Sequence, residues 1–208
     1  MLKINFLGDS ITEGALASKE ENTYVQLVGK MTNSIVRNYG ISGSRIAIAT
    51  VPSEDPRWDR YFGSRVDEMN RDADLVFVFG GTNDFGHHVV IFGQIGDKTP
   101  DTFCGGVDYL INKLLQYFKK EQIIFILPLY CTEEFGQEFK HPLEEFRKVM
   151  RDIAESYGIK VLDIKDEIGK PFDNPYIQDG LHPSDLGHHK IAELISDYIN
   201  KLGYIYVN

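Results

Sequence analysis

Cysteine is scarce: the 208 residues hold only Cys104 and Cys131, in no Cys-x-x-Cys spacing. Two thiols cannot build a disulfide framework, and the usage fits a reducing compartment. Basic residues are outnumbered, 22 Lys and Arg against 31 Asp and Glu, for a formal net charge of -9. No Lys/Arg cluster offsets this locally, so nucleic acid and anionic membrane surfaces are excluded as expected partners. Nowhere do 18 apolar residues run together, so a membrane span is not expected. The first apolar run is too short for a secretory signal and no small-residue cleavage site follows it, which makes the expected location cytoplasmic. Repeats, low-complexity tracts and linkers are missing as well, and the whole of 1–208 is expected to form one domain. Hydrophobic residues at 42% and charged residues at 25% exclude wholesale disorder.

Five short apolar runs are present: Leu2–Leu7, Ser34–Asn38, Leu75–Phe79, Gln122–Leu127 and Lys160–Leu162. The third and fourth are continuously apolar and rich in β-branched and aromatic residues, as strands buried on both faces are. Helical spacing of apolar residues marks Thr23–Met31, Val107–Phe118, Leu143–Tyr157 and Ser184–Leu202. Strands alternating with helices predict right-handed βαβ units and an α/β fold of three αβα layers around a doubly wound, five-stranded parallel sheet. Sites in such folds gather in loops at the carboxyl ends of the strands.

Those loops hold polar residues of a particular kind. The first strand ends in Gly8-Asp9-Ser10-Ile11-Thr12-Glu13-Gly14, the second in Asn38-Tyr39-Gly40-Ile41-Ser42-Gly43-Ser44, and the third in Gly80-Gly81-Thr82-Asn83-Asp84. Asp179-Gly180-Leu181-His182-Pro183 precedes the last helix. Taken singly each is what any turn contains, because Gly supplies positive φ and Asx side chains close turns. Together, on one sheet edge, they supply a nucleophile, oxyanion donors, a base and an orienting carboxylate.

In that order and spanning Gly8 to His182, the four segments resemble the four blocks of the SGNH (GDSL-type) serine hydrolases. The resemblance implies a flavodoxin-like SGNH fold and an ester hydrolase that needs no cofactor. It assigns the oxyanion donors as the backbone N–H of Ser10, the backbone N–H of Gly43 and the side-chain amide of Asn83. A Ser hydroxyl is a weak nucleophile at neutral pH and needs a base in reach. His182 is the candidate for taking and returning that proton, and Asp179, three residues earlier, for holding the imidazole tautomer. Pro183 disfavours helix at His182, so the ring is expected in the loop. Asp9 and Asp84 are expected to brace their loops. Gly43 is expected to be Gly because substrate approaches its backbone closely.

Other residues are expected to do less. The pairs His87-His88 and His188-His189 diverge on any regular element and have no ligand spacing, so no metal site is expected. His141, before Pro142, is expected to be exposed, and both cysteines to be apolar filler. Arg45 either reaches substrate or pairs with a carboxylate. The stretch from Phe85 to Thr99 lacks a period, and its Val89–Phe92 portion either walls an acyl pocket or packs between copies of the chain; the Tyr204–Val207 tail is a second candidate for that interface. A short acyl ester, acetyl above all and possibly on a carbohydrate, is the expected small-molecule substrate. The alternatives are a lysophospholipase or thioesterase of the same fold, or a metal-dependent phosphoesterase using Asp9, Asn83, Asp84, Asp179 and His182. Nucleotide-binding fingerprints and the Gly-x-Ser-x-Gly elbow are both missing.

Overall fold

A computed structural model of the chain describes residues 1–87, 89–132, 135 and 141–204. Five strands, β1 (Lys3–Gly8), β2 (Ile35–Gly40), β3 (Leu75–Phe79), β4 (Ile123–Ile126) and β5 (Lys160–Leu162), form one sheet. All neighbours are parallel, in the order β2-β1-β3-β4-β5. The helices are α1 (Ser10–Glu13), α2 (Tyr24–Met31), α3 (Phe62–Arg65), α4 (Thr82–Gly86), α5 (Phe103–Leu114), α6 (Leu143–Ser156), α7 (Lys165–Ile168) and α8 (Asp185–Lys201).

Strand alternation divides the core in two. Leu7, Val76, Val78, Phe125 and Leu127 meet α5 and α6 on one face, and Ile4, Phe6, Phe77, Phe79 and Ile126 meet α2 and α8 on the other. This is the αβα layering expected from the sequence. The chain moves from β1 outward to β2, then returns across β1 to β3, so the strand order reverses between β1 and β3. Ligand crevices open at such a switch point. Gly8 pairs with Gly40 on one side and Phe79 on the other, which brings the three strand ends level. Among the described residues no helix is long and apolar enough to cross a membrane.

At β2 and α5 the boundaries differ from the sequence pattern. β2 runs on to Gly40, because Asn38, Tyr39 and Gly40 keep pairing with Phe6, Leu7 and Gly8 although they are not apolar. α5 begins four residues before Val107, with Thr102 as its cap accepting from Gly105 N at 3.1 Å. Gly105 and Gly106 blank out the apolar period there.

The Phe85–Thr99 stretch is tied down by backbone bonds, from Phe103 N to Ile91 O (2.7 Å) and from Thr50 N to Val89 O (2.7 Å). Phe92 stacks on His141 (ring centroids 4.0 Å apart) and packs on Phe103 and Phe146. His141 is therefore half-buried rather than exposed, and also bonds Glu145 at 2.6 Å. His88 and the tail residues Ile205, Tyr206 and Val207 lie outside the described residues.

Candidate active site

The turn after β1 places Ser10 at the first position of α1. Asp9 caps this short helix by accepting from Ile11 N at 3.1 Å. First-turn N–H groups have no partner within their helix, so the Ser10 amide is not used up inside α1. The turn after β2 is closed by Ser44, whose N–H and hydroxyl both donate to Ile41 O, at 3.2 and 2.6 Å. It is held from α1 by Glu13, whose carboxylate accepts from the backbone N–H of Ser42 at 2.8 Å and from the Ser42 hydroxyl.

Gly43 sits there with φ +73°, in the left-handed region. A Cβ on Gly43 would stand 2.6 Å from the Trp58 indole. The packed indole and the backbone angle are each reason enough for glycine here.

The loop before α8 brings up the imidazole. His182 precedes the Ser184 cap by two residues, which leaves its ring outside the helix. Asp179 shapes the loop, with Oδ1 accepting from the backbone N–H of Leu181 (2.8 Å) and of His182 (2.6 Å) and Oδ2 lying 2.8 Å from His182 Nδ1. On its other side the His182 ring puts Nε2 3.0 Å from Ser10 Oγ. Because Asp179 is ionised and accepts, Nδ1 carries the ring proton and Nε2 is left basic toward the serine. Partial burial works to raise the Asp179 pKa, but the hydrogen bonds from His182 and Leu181 outweigh it and hold the carboxyl below its ordinary value.

Ser10, Gly43, Asn83 and His182 line one cleft of about 270 Å³, shared with Ala15, Ser42, Trp58, His87, Phe135 and Leu181. The structure therefore brings Ser10, His182 and Asp179 into one hydrogen-bonded chain, with the two other donors expected from the sequence beside it. Asp9 and Asp84 stand behind this surface, fully buried. Asp84 accepts from Ile46 N and Ala47 N, both at 2.9 Å, and so pins the chain just after the Gly43 turn. Burial raises the Asp84 carboxyl to about 6 against those two N–H bonds. Burial, offset in part by the Ile11 N–H, raises Asp9 to about 7.

Arg45 pairs with Asp59 (3.0 Å) and donates to Ser53 (2.7 Å), and its side chain is 2% exposed. It is turned away from the cleft. Among the described residues the apolar walls of the cleft are Ala15, Trp58, Phe135 and Leu181. Phe92 is held instead in the aromatic cluster of α5 and α6.

Sequence reasoning gives no role to Trp58, Phe135, Glu13 and Arg65, and reads His87 only as a residue without metal-ligand spacing. Their one legible signal is composition, since Trp58 stands in an irregular stretch beside Pro52 and Pro56. His188 is fully buried, with Nδ1 accepting from Tyr24 N (3.3 Å) and Nε2 donating to Ala15 O (3.1 Å), while His189 is exposed. Among the described residues no three His, Cys, Asp or Glu side chains come together as a group that could hold a metal ion.

Residues 6–190 match the GDSL-like lipase/acylhydrolase family. No curated protein sequence matches. Solved structures do. A protein from Lactobacillus plantarum is 27% identical with a TM-score of 0.81, over 96% of this chain and 97% of that one. A lipase/acylhydrolase from Enterococcus faecalis is 24% identical with a TM-score of 0.67, over 97% and 96%. Est24, a carbohydrate acetylesterase from Sinorhizobium meliloti, is 16% identical with a TM-score of 0.73, over 97% and 100%.

Proposed function

The chain belongs to the GDSL-like lipase/acylhydrolase family, and from that premise we propose that it is a serine esterase that cleaves short acyl esters, acetyl esters above all, through an acyl-enzyme on Ser10. The observation that carries this reading is the continuous path from Asp179 Oδ2 through the His182 ring to Ser10 Oγ, in steps of 2.8 and 3.0 Å.

Ser10 Oγ attacks the ester carbonyl as His182 Nε2 takes its proton, and Asp179 stabilises the imidazolium that forms. The carbonyl oxygen becomes an oxyanion held by the N–H groups of Ser10 and Gly43 and by the Asn83 amide. Preset donors need no reorganisation as the charge develops. The intermediate collapses, His182 returns the proton to the departing alkoxide, and the alcohol leaves. Water then repeats the sequence on the acyl-serine and regenerates Ser10.

The size of the cleft favours a short acyl chain. Its volume falls at the small end of ligand pockets, and the Trp58 and Phe135 rings limit it. The flat indole beside polar groups suits a sugar bearing the acyl group, and the distant fold relative Est24 is a carbohydrate acetylesterase.

The test is hydrolysis of p-nitrophenyl acetate, butyrate and octanoate by wild type and Ser10→Ala, with and without chelator. Turnover that depends on Ser10, ignores chelator and falls with chain length is the expected result. Full activity in Ser10→Ala would overturn the nucleophile, and chelator-sensitive turnover would replace this reading with a metal-dependent one.

A further inference from the structure

Asn83 offers the only side-chain donor among the three groups assigned to the oxyanion, and an amide is easily presented backwards. Its terminal torsion is broad and nearly two-fold, so the oxygen and nitrogen exchange places at little intrinsic cost. A reversed amide would set a lone pair against the developing negative charge. Something must therefore choose the sense of the amide.

Two partners make that choice. The carbonyl of Ser44 can only accept, so the Asn83 atom that faces it at 3.0 Å is Nδ2. Oδ1 then faces Nε2 of His87 at 3.1 Å. An amide oxygen also only accepts, so the proton of that bond sits on His87 Nε2. We infer that His87 is a positioning residue for the proposed reaction: with Ser44 it fixes the plane and sense of the Asn83 amide, so that the second Nδ2 proton is presented to the oxyanion.

The local fold supports the assignment. Asn83 and His87 are four residues apart at the end of α4, the spacing at which helical side chains meet, and His87 N donates to Asn83 O at 3.2 Å. The imidazole stacks on Trp58 (centroids 6.0 Å apart, planes at 30°) and meets Phe135 edge-on (5.8 Å). The same indole fills the space against Gly43. One tryptophan thus lies against the residue carrying one donor and against the ring that orients another.

The inference rests on the proposed role of Asn83, and the test keeps the two apart. Steady-state kinetics on a short ester would compare wild type with His87→Ala, His87→Gln, His87→Asn, Asn83→Ala and the double variant His87→Ala/Asn83→Ala. Deleting an oxyanion donor costs about 10²–10³ in rate, and loosening one by removing its orienting partner is expected to cost about tenfold. That loss should fall on kcat, since a group that acts only in the transition state leaves KM unchanged.

Gln extends its amide N–H to the position of Nε2 and should restore most of the rate. Asn is too short and should not. In the Asn83→Ala background, removing His87 should change kcat less than about twofold, because its effect passes through an amide that is no longer there. Independently of turnover, the ¹⁵N spectrum of the neutral His87 imidazole should show the proton on Nε2.

Wild-type kcat in His87→Ala beside a large loss in Asn83→Ala overturns this inference alone, as does a proton found on Nδ1 or a full multiplicative loss in the double variant. Wild-type turnover in Asn83→Ala overturns both this inference and the proposed oxyanion role.

Discussion

The buried guanidinium of Arg65 donates twice to the backbone carbonyl of Gly8, from Nη1 at 3.2 Å and Nη2 at 3.1 Å. Gly8 ends the strand that delivers Ser10. The same side chain donates to Tyr39 O, near the end of β2, and to Ser44 Oγ at 2.9 Å, in the turn that carries Gly43. One cation from α3 therefore ties together the two strand ends that supply the nucleophile and a backbone donor. Burial lowers its pKa to about 10, so it stays charged across the working range.

Replacing Arg65 with Ala should destabilise the fold and blunt catalysis together. Gly8 O keeps the Ile41 N–H at 3.1 Å, but Tyr39 O and Ser44 Oγ lose the guanidinium; at about 1–3 kcal/mol for each, a loss of about 2–6 kcal/mol is expected. Arg65→Lys keeps the charge but not the planar fork, and should fall between wild type and Ala in both stability and kcat. Urea unfolding and steady-state kinetics on the same samples check this. A fully stable Arg65→Ala with normal kcat would mean that the clamp is dispensable.

Why Arg65 was illegible in the sequence while Ser10 and His182 were not is a matter of range. Asn83 and Asp84 come just after an apolar run whose burial on both faces is written in its composition, and Ser10 comes just after the first run, so their place at the sheet edge follows from counting strands. His182 was legible through its local partner Asp179 and through Pro183. Arg65, Trp58 and Phe135 act on residues far away in sequence, from a short helix and irregular stretches without a period. Gly105 and Gly106 hid the start of α5 for the opposite reason, since helix capping by Thr102 succeeded where local apolar spacing was silent. Chain-distant packing also explains Phe92, which looked like a pocket wall by its nearness to Asn83 and lies instead among Phe103 and Phe146.

That placement separates two substitutions. Phe92→Ala should lower stability by about 2–4 kcal/mol, because it empties a place in the aromatic cluster, while leaving acyl-chain preference alone. Trp58→Ala should do the reverse in kind: it opens the cleft wall, weakens the preference for acetyl over longer esters and lowers kcat by freeing the Gly43 turn. The ratio of acetate to octanoate turnover, measured beside thermal unfolding, distinguishes them. A changed chain-length profile in Phe92→Ala would return that residue to the pocket.

Asp179→Asn retains the shape of the loop but not its charge. Asn can present an N–H where the carboxylate accepted, which favours the tautomer with the proton on Nε2 and removes the base from Ser10. By analogy with the serine triad, a fall of about 10⁴ in kcat is expected. Activity near wild type would show that the backbone of the loop alone orients His182.

The buried carboxylate of Asp9 makes stability depend on pH in an unusual direction. Its pKa rises from 3.8 unfolded to about 7 folded, because burial without a cation in contact disfavours the charge. Folding therefore takes up a proton between those values. The contribution to stability is fully present below about pH 4 and is lost as pH rises through about 7. Asp84 acts in the same sense, with a pKa raised to about 6. His188 acts oppositely: burial lowers its pKa, so its contribution is present above pH 6.5 and is lost as pH falls below that value. Asp9→Asn removes one contribution and leaves the others, and its side-chain oxygen can still accept from Ile11 N. The stability of Asp9→Asn relative to wild type should therefore increase steadily from pH 5 to pH 8, by about 1–3 kcal/mol. Urea unfolding of both proteins across that range measures the difference. Parallel curves would show that Asp9 is already ionised at pH 5 and that the burial argument fails at this residue.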